Sequence, residues 1–208
     1  EDVVRNMRIG DSAVVRVNIE TFPTKPPGME NDSVVLYDVV ITEIVSEVDF
    51  TARQEVKQAG AEEKANVIRA LEPERLAYAA KVVTDYRDGK LDADIKATES
   101  GLKYVIHEEG NGPQAEAGQG VIVQYIGQLA ADGSVFDQSF GRGEGIPFQL
   151  GTGRVIRGWD EGIALLKEGA KATFFIPSEL GYGADGTPDG SIPADAELVF
   201  YVELEKVQ

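Results

Sequence analysis

The sequence predicts an α+β protein: an antiparallel sheet with one short helix, preceded by a helical connector and a separate β segment. Three observations carry this prediction. Residues 98–208 are glycine-rich and break into short runs that alternate apolar and polar residues, the period of half-buried strands. One stretch there, "VIRGWDEGIALL" at 155–166, is the single helix signal. Residues 50–97 lack the alternation and read as helical.

Taken in order, residues 1–49 read as strand and loop. "DSAVVRVNIETF" is rich in β-branched residues, and "SVVLYDVVITEI" sets Val35, Tyr37, Val39 and Ile41 on one face. "PTKPPGMENDS" between them is a loop by its Pro, Gly and Asn content. In residues 50–97, "PERLAYAAKVVTDY" places Pro73 at a first helical position, with Leu76, Ala79, Ala80, Val83 and Tyr86 on one stripe. Gly89 in "RDGK" caps that helix. The upstream half has a thinner stripe of Val56, Val67, Ile68 and Leu71, and Gly60 argues against one continuous helix. The expectation for 50–97 is a solvated connector. From 98 onward, "GLKYVIHEEG" and "GVIVQYIGQLAADGSVFDQS" read as strands, with a hairpin turn at Asp132-Gly133. "AKATFFIP" and "AELVFYVELEKV" follow the short helix as further strands.

The chain also repeats itself. "MRIGDSAVVRV" (7–17) aligns with "LKEGAKATFFI" (166–176), matching Met7 to Leu166, Gly10 to Gly169, Ala13 to Ala172 and Val17 to Ile176. "YDVVITEI" (37–44) aligns without a gap with "FYVELEKV" (200–207). Residues 1–49 therefore read as the second half of a domain whose complete copy is 98–208.

Composition removes whole classes of chemistry. A net charge of −16, with no basic stripe, argues against nucleic acid as a partner. With no cysteine there is no disulfide, no thiolate nucleophile and no zinc–cysteine site. With His107 as the only histidine, no histidine metal cluster can be built, and no GxSxG elbow accompanies it. His107 itself reads as a partly solvated histidine at a strand end. The run "GRGEGIPFQLGTGRVIRG" lacks both the GxGxxG spacing and a GK[ST] ending, and "GADGTPDGS" does not match a calcium loop, so both read as turns. No metal and no cofactor are expected. What remains is an apolar and aromatic set, by default core, and equally the walls of a small-ligand site.

Residues 98–208 resemble the FKBP-type peptidyl-prolyl isomerases. The resemblance rests on "VQYIGQLAADGSVFDQS", "PFQLGTGRVIRGWDEGIALLKEGAKATFFIP", "ELGYGADG" and "IPADAELVFYVEL", in the family's order. It implies an FKBP-like twisted antiparallel sheet wrapped around a short helix, with the pocket between them. It also implies catalysis of rotation about X-Pro bonds in protein clients, and binding of macrolide inhibitors. Carried over, Trp159 forms the pocket floor, with Tyr125, Phe136 and Phe200 as aromatic walls. Val155 and Ile156 lie on the rim, the N–H of Ile156 facing a ligand carbonyl. Asp137 is the main polar group, supported by Arg142, and Phe148 belongs to the ligand-binding set. Tyr182 and Ile192 come from the covering loop. Ile146 stands where many members place an aromatic, and Thr187 also departs from well-studied members, implying altered substrate preference and inhibitor affinity. The first repeat has neither a tryptophan nor an FD pair, so residues 1–49 carry no second active site.

The expected layout is a partial FKBP-like segment at 1–49, a helical connector at 50–97 and the isomerase domain at 98–208. The connector and partial repeat resemble bacterial cell-envelope members. The chain opens on Glu1 rather than Met. Further sequence is therefore expected upstream, with room for a signal or lipid-attachment segment, and a periplasmic or envelope location, with the cytoplasm as the alternative. Unpaired edges of the truncated repeat are expected to be completed by upstream sequence, or to dock on the connector or on another copy as a homodimer through that segment. The competing function is a non-enzymatic chaperone or protein-binding module on the same fold.

Overall fold

The structure is a computed structural model that describes residues 7–20, 22–24, 29 and 32–208. The loop expected at 23–33 falls largely outside these residues. The chain divides into two compact units, Glu1–Ala59 and Gly60–Gln208.

In the first unit, β1 (Ser12–Asn18) pairs antiparallel with β2 (Val34–Val40). Ala13 lies opposite Val39, Val15 opposite Tyr37 and Val17 opposite Val35, so the face expected from the two-residue period is one face of the hairpin. The reverse face leaves Val14 and Leu36 63% and 65% exposed.

The second unit holds a seven-stranded antiparallel sheet. Its strands are β3 (Lys96–Ala97), β4 (Lys103–Glu108), β5 (Gly120–Leu129), β6 (Val135–Gln138), β7 (Ile146–Gln149), β8 (Lys171–Ile176) and β9 (Leu198–Val207). They run in the order β3-β4-β8-β9-β5-β6, with β7 also on β5. The hairpin expected at Asp132-Gly133 joins β5 to β6, Gly133 taking φ +79°. The short helix α2 (Arg157–Ala164) packs on one face over the buried side chains of Phe174, Ile176 and Phe200. Its two glycines make that approach possible. A Cβ on Gly158 would lie 2.6 Å from Ile176 Cγ2, and one on Gly162 would lie 2.8 Å from the Phe174 ring.

The repeat extends to backbone detail. In β8–β9, Ala172 faces Val202, Phe174 faces Phe200 and Ile176 faces Leu198. These are the counterparts of the three β1–β2 pairs above, in the same register. Gly10 and Gly169 take φ of +91° and +89°. The Gly10 N–H donates to Ile41 O at 2.7 Å, and the Gly169 N–H donates to Leu204 O at 2.8 Å. Two segments sharing only a generic strand pattern would not be expected to agree in register, turn glycine and closing hydrogen bond together.

Helix α1 (Glu47–Arg87) runs without interruption through Gly60 and Pro73. Pro73 is therefore interior, not at a first turn, and the carbonyl of Arg69 loses its helical donor. Packing on both sides of the proline explains the continuity. From Gly60 on, the helix belongs to the second unit and covers the sheet face opposite α2. Ile68, Leu71, Leu76 and Ala79 pack with Ile126, Phe140 and Tyr201, while Val82, Val83 and Tyr86 pack with Val105, Phe175 and Val199. A solvated connector therefore does not describe this half. The buried stripe uses Val82 where Ala80 was expected, and Ala80 is exposed. Polar contacts reinforce the docking: Arg75 Nε donates to Glu203 Oε1 at 2.5 Å, with both side chains mostly buried. The Tyr86 ring stacks on Phe175 with centroids 4.0 Å apart. The helix closes as expected at Gly89. The Gly89 N–H donates to Tyr86 O at 3.0 Å and the Lys90 N–H to Asp85 O at 2.9 Å, the paired bonds of a left-handed cap.

Candidate active site

A cavity of about 620 Å³ opens between α2 and the sheet. Trp159, 4% exposed, forms its floor from the first turn of α2. The floor is held by edge-to-face contacts: the Trp159 ring lies 5.1 Å from Tyr125 at 82° and 5.3 Å from Phe200 at 83°. Phe136 meets Phe200 in the same way at 5.5 Å and 82°. Gly127 on β5 leaves room for that pair, since a Cβ there would lie 2.7 Å from Phe136 and 2.8 Å from Phe200. The buried Trp159 Nε1–H has no protein acceptor among the described residues.

The rim is set by the turn entering α2. Asp160 accepts from the N–H groups of Gly151 at 2.7 Å and Gly153 at 3.0 Å, pinning the Gly-Thr-Gly turn ahead of Val155 and Ile156. The Ile156 carbonyl accepts from Trp159 N at 2.9 Å. Its own N–H has no acceptor among the described residues and remains available at the cavity edge.

One wall carries charge. Arg142 donates to Asp137 Oδ1 and to the Tyr125 hydroxyl, both at 2.8 Å, and the Tyr125 hydroxyl donates to Asp137 Oδ2. Burial pushes the Asp137 carboxyl up, but the Tyr125 hydroxyl and the Arg142 guanidinium outweigh it, so it titrates below the usual carboxylate range. Burial, then donation to Asp137, pushes the Tyr125 phenol up to about 12. The Tyr182 phenol is also raised, by burial and then by the Asp137 charge. No hydrogen bond engages the Tyr182 hydroxyl among the described residues.

Of the residues expected at the site, Tyr125, Phe136, Asp137, Ile146, Val155, Ile156, Trp159, Tyr182, Thr187, Ile192 and Phe200 line the cavity. Two do not. Arg142 stands behind Asp137 as its partner. Phe148 faces the core at 5.8 Å from Trp159, so it backs the floor rather than touching the cavity. Thr187 reaches the lining, yet its hydroxyl accepts from Ile192 N at 2.9 Å and so also closes the covering loop. Sequence reasoning missed Gly153, Arg154, Asp189 and Ser191 on the lining and Asp160 as the anchor of the turn. Their signal was local: an acidic residue in a first helical turn facing a glycine pair, and a Thr-Pro-Asp-Gly-Ser turn in which Ser191 donates to Asp189. His107 lies away from the cavity, half-buried, with Nε2 2.7 Å from the Thr173 hydroxyl and its ring edge-on to Tyr78. No group of three or more metal-ligating side chains occurs among the described residues.

Comparison with known proteins agrees with this geometry. The profile of the FKBP-type peptidyl-prolyl cis-trans isomerase family matches residues 112–205. The chain is 45% identical over 114 residues to FK506-binding protein 1B of Neurospora crassa, covering 52% of this chain and 99% of that protein. It is 47% identical over 114 residues to the FKBP-type isomerase FkpA of Aeromonas hydrophila, covering 55% of this chain but 41% of that protein. The crystal structure of FkpA from Escherichia coli superposes with a TM-score of 0.54 at 33% identity, covering 79% of this chain and 74% of that one. These relatives favour an isomerase over a non-enzymatic binding module on the same fold. An aromatic cavity on this sheet, matched by a relative aligned along nearly its whole length, makes the chain a member of the FKBP-type peptidyl-prolyl cis-trans isomerase family.

Proposed function

We propose that the cavity over Trp159 is the isomerase site, and that Tyr125, Phe136, Asp137, Ile156, Trp159, Tyr182 and Phe200 carry the catalysis. The observation that supports this most is the aromatic enclosure itself, with one charged wall and free donors at Ile156 N and Tyr182. The reaction makes and breaks no bond. An amide resists rotation by ~18–20 kcal/mol because resonance gives the C–N bond double-bond character. In the twisted transition state that resonance is lost and the amide dipole falls. Water favours the dipolar planar form. An apolar cavity favours it less, and the twisted form is selected. Each ~1.4 kcal/mol removed from the barrier gives a factor of ten in rate. The Ile156 N–H and the Tyr182 hydroxyl hold carbonyls flanking the proline, so only the X-Pro bond turns.

A protease-coupled assay on a proline-containing tetrapeptide tests this assignment. Wild type accelerates exchange, and the Trp159→Ala, Asp137→Ala double variant loses most of that acceleration. Because Trp159→Ala removes a buried aromatic at a cost of about 3–5 kcal/mol, Tyr182→Phe, which leaves the core intact, is measured alongside. Equal rates from wild type and all variants would refute it.

We also propose that the same cavity takes FK506-like macrolides. The similarity to FK506-binding protein 1B of Neurospora supports this, and Ile146 and Thr187 on the lining set the affinity. Trp159 fluorescence on titration measures it. A location in the cell envelope and a homodimer through the β1–β2 hairpin remain part of this reading. The chain's similarity to the bacterial FkpA-type isomerases of Aeromonas and Neisseria supports the first. Strand edges without a ladder partner among the described residues support the second. Cell fractionation and light scattering test them, and a cytoplasmic monomer would overturn both.

A further inference from the structure

We propose that Glu72 of helix α1 is a positioning residue for the isomerase site, acting through Gln138 on the charged wall of the cavity. The inference rests on the reading of that cavity as the active site. The wall is built by the segment from Asp137 to Gly143, and this segment is clamped against α1. The Glu72 Oε1 accepts from Gln138 Nε2 at 2.8 Å. The Gln138 Oε1 accepts from the Gly141 N–H at 2.8 Å, and the Gln138 N–H donates to Asp137 Oδ1 at 2.8 Å. Glu72 thus holds the side chain that braces Gly141 in the turn carrying Arg142, on a residue whose own backbone N–H orients Asp137. The turn is seated by packing as well. Phe140 is 1% exposed beneath α1. A Cβ on Gly143 would lie 2.9 Å from Ala65 Cβ, and one on Gly141 would lie 3.0 Å from Glu72 Oε1. Nothing in this chain of contacts touches the cavity until Asp137, so Glu72 contributes alignment, not chemistry.

Alignment of this kind is costly to lose. Displacing a charged wall by ~1 Å without removing it costs up to about 100-fold in rate. Releasing one hydrogen-bonded brace should cost less, about 10-fold in kcat/KM. The loss should fall on kcat, because the aromatic floor that binds the proline is untouched.

The test measures kcat, KM and Tm for Glu72→Ala, Glu72→Gln, Asp137→Ala, the Glu72→Ala, Asp137→Ala double variant, and Lys64→Ala. Lys64, on the same helix, pairs with Glu205 of β9 rather than with the turn, and reports generic helix docking. The expected result is a kcat loss in Glu72→Ala at near wild-type Tm and recovery in Glu72→Gln, whose amide oxygen still accepts from Gln138. No further loss is expected when Glu72→Ala is added to Asp137→Ala. Wild-type kcat in Glu72→Ala while Asp137→Ala is impaired would overturn the positioning role alone. An equal loss in Lys64→Ala would reassign the effect to helix docking and overturn it as well. Wild-type activity in Asp137→Ala would remove the site reading first, and this proposal with it.

Discussion

At Asp137, three donors converge on one carboxylate: Arg142, the Tyr125 hydroxyl and the Gln138 N–H. They outweigh its burial and keep it ionised. Burial, and then donation to that carboxylate, pushes the Tyr125 phenol up to about 12, and burial raises Tyr182 in the same direction. Asp137 is thus pushed down and Tyr125 and Tyr182 are pushed up, all away from neutrality, and His107 lies away from the cavity. The predicted kcat/KM is therefore flat from about pH 5.5 to 9, where none of Asp137, Tyr125 and Tyr182 titrates. A pH–rate profile with an inflection near 7 would contradict this. That these residues share one cavity was legible through the family resemblance, since by their own spacing they read equally as core. The brace from Glu72 to Gln138 was not. It joins residues 66 positions apart, and neither side chain is unusual in its own segment.

Among the elements, the strands were the most legible and α1 the least. Alternation fixes which residues of a strand share a face, and the β1–β2 register pairs them as expected. A helix face drifts with each turn, which is why Val82 and not Ala80 is buried. Pro73 looked like a helix start because local rules place proline there. Apolar packing on both sides overrides the rule and carries the helix through. The proline is exposed and its ring excludes one helical hydrogen bond, so Pro73→Ala should stabilise the second unit by about 1–3 kcal/mol in urea unfolding. If α1 instead began at Pro73, the substitution would be neutral or destabilising. In α2, Gly158 is explained by its close approach to Ile176. Gly162→Ala forces the helix off Phe174 and should cost about 1–3 kcal/mol by overpacking.

At the scale of the whole molecule, one hairpin is used twice. Its copy at β8–β9 is covered by α2 on one face and by α1 on the other, whereas the copy at β1–β2 keeps Val14 and Leu36 exposed. The α1 face of the second unit also holds the chain's only histidine. Burial lowers the His107 pKa below its ordinary 6.5, so the folded state favours the neutral ring. The unfolded chain therefore binds the proton more readily, and this contribution to stability is present above about pH 6.5 and lost as pH falls below it. Urea midpoints should fall between pH 7 and 5.5, and His107→Gln should flatten that slope; an unchanged slope would contradict the assignment. The central claim is that the cavity over Trp159 turns X-Pro bonds rather than merely holding proline. The most direct measurement is NMR exchange spectroscopy of a free X-Pro peptide with a catalytic amount of this protein and no protease. Cis–trans exchange cross-peaks with wild type, greatly weakened with Asp137→Ala, Tyr182→Phe, are the predicted result. Peptide line broadening without exchange cross-peaks would show binding without rotation, and would contradict it.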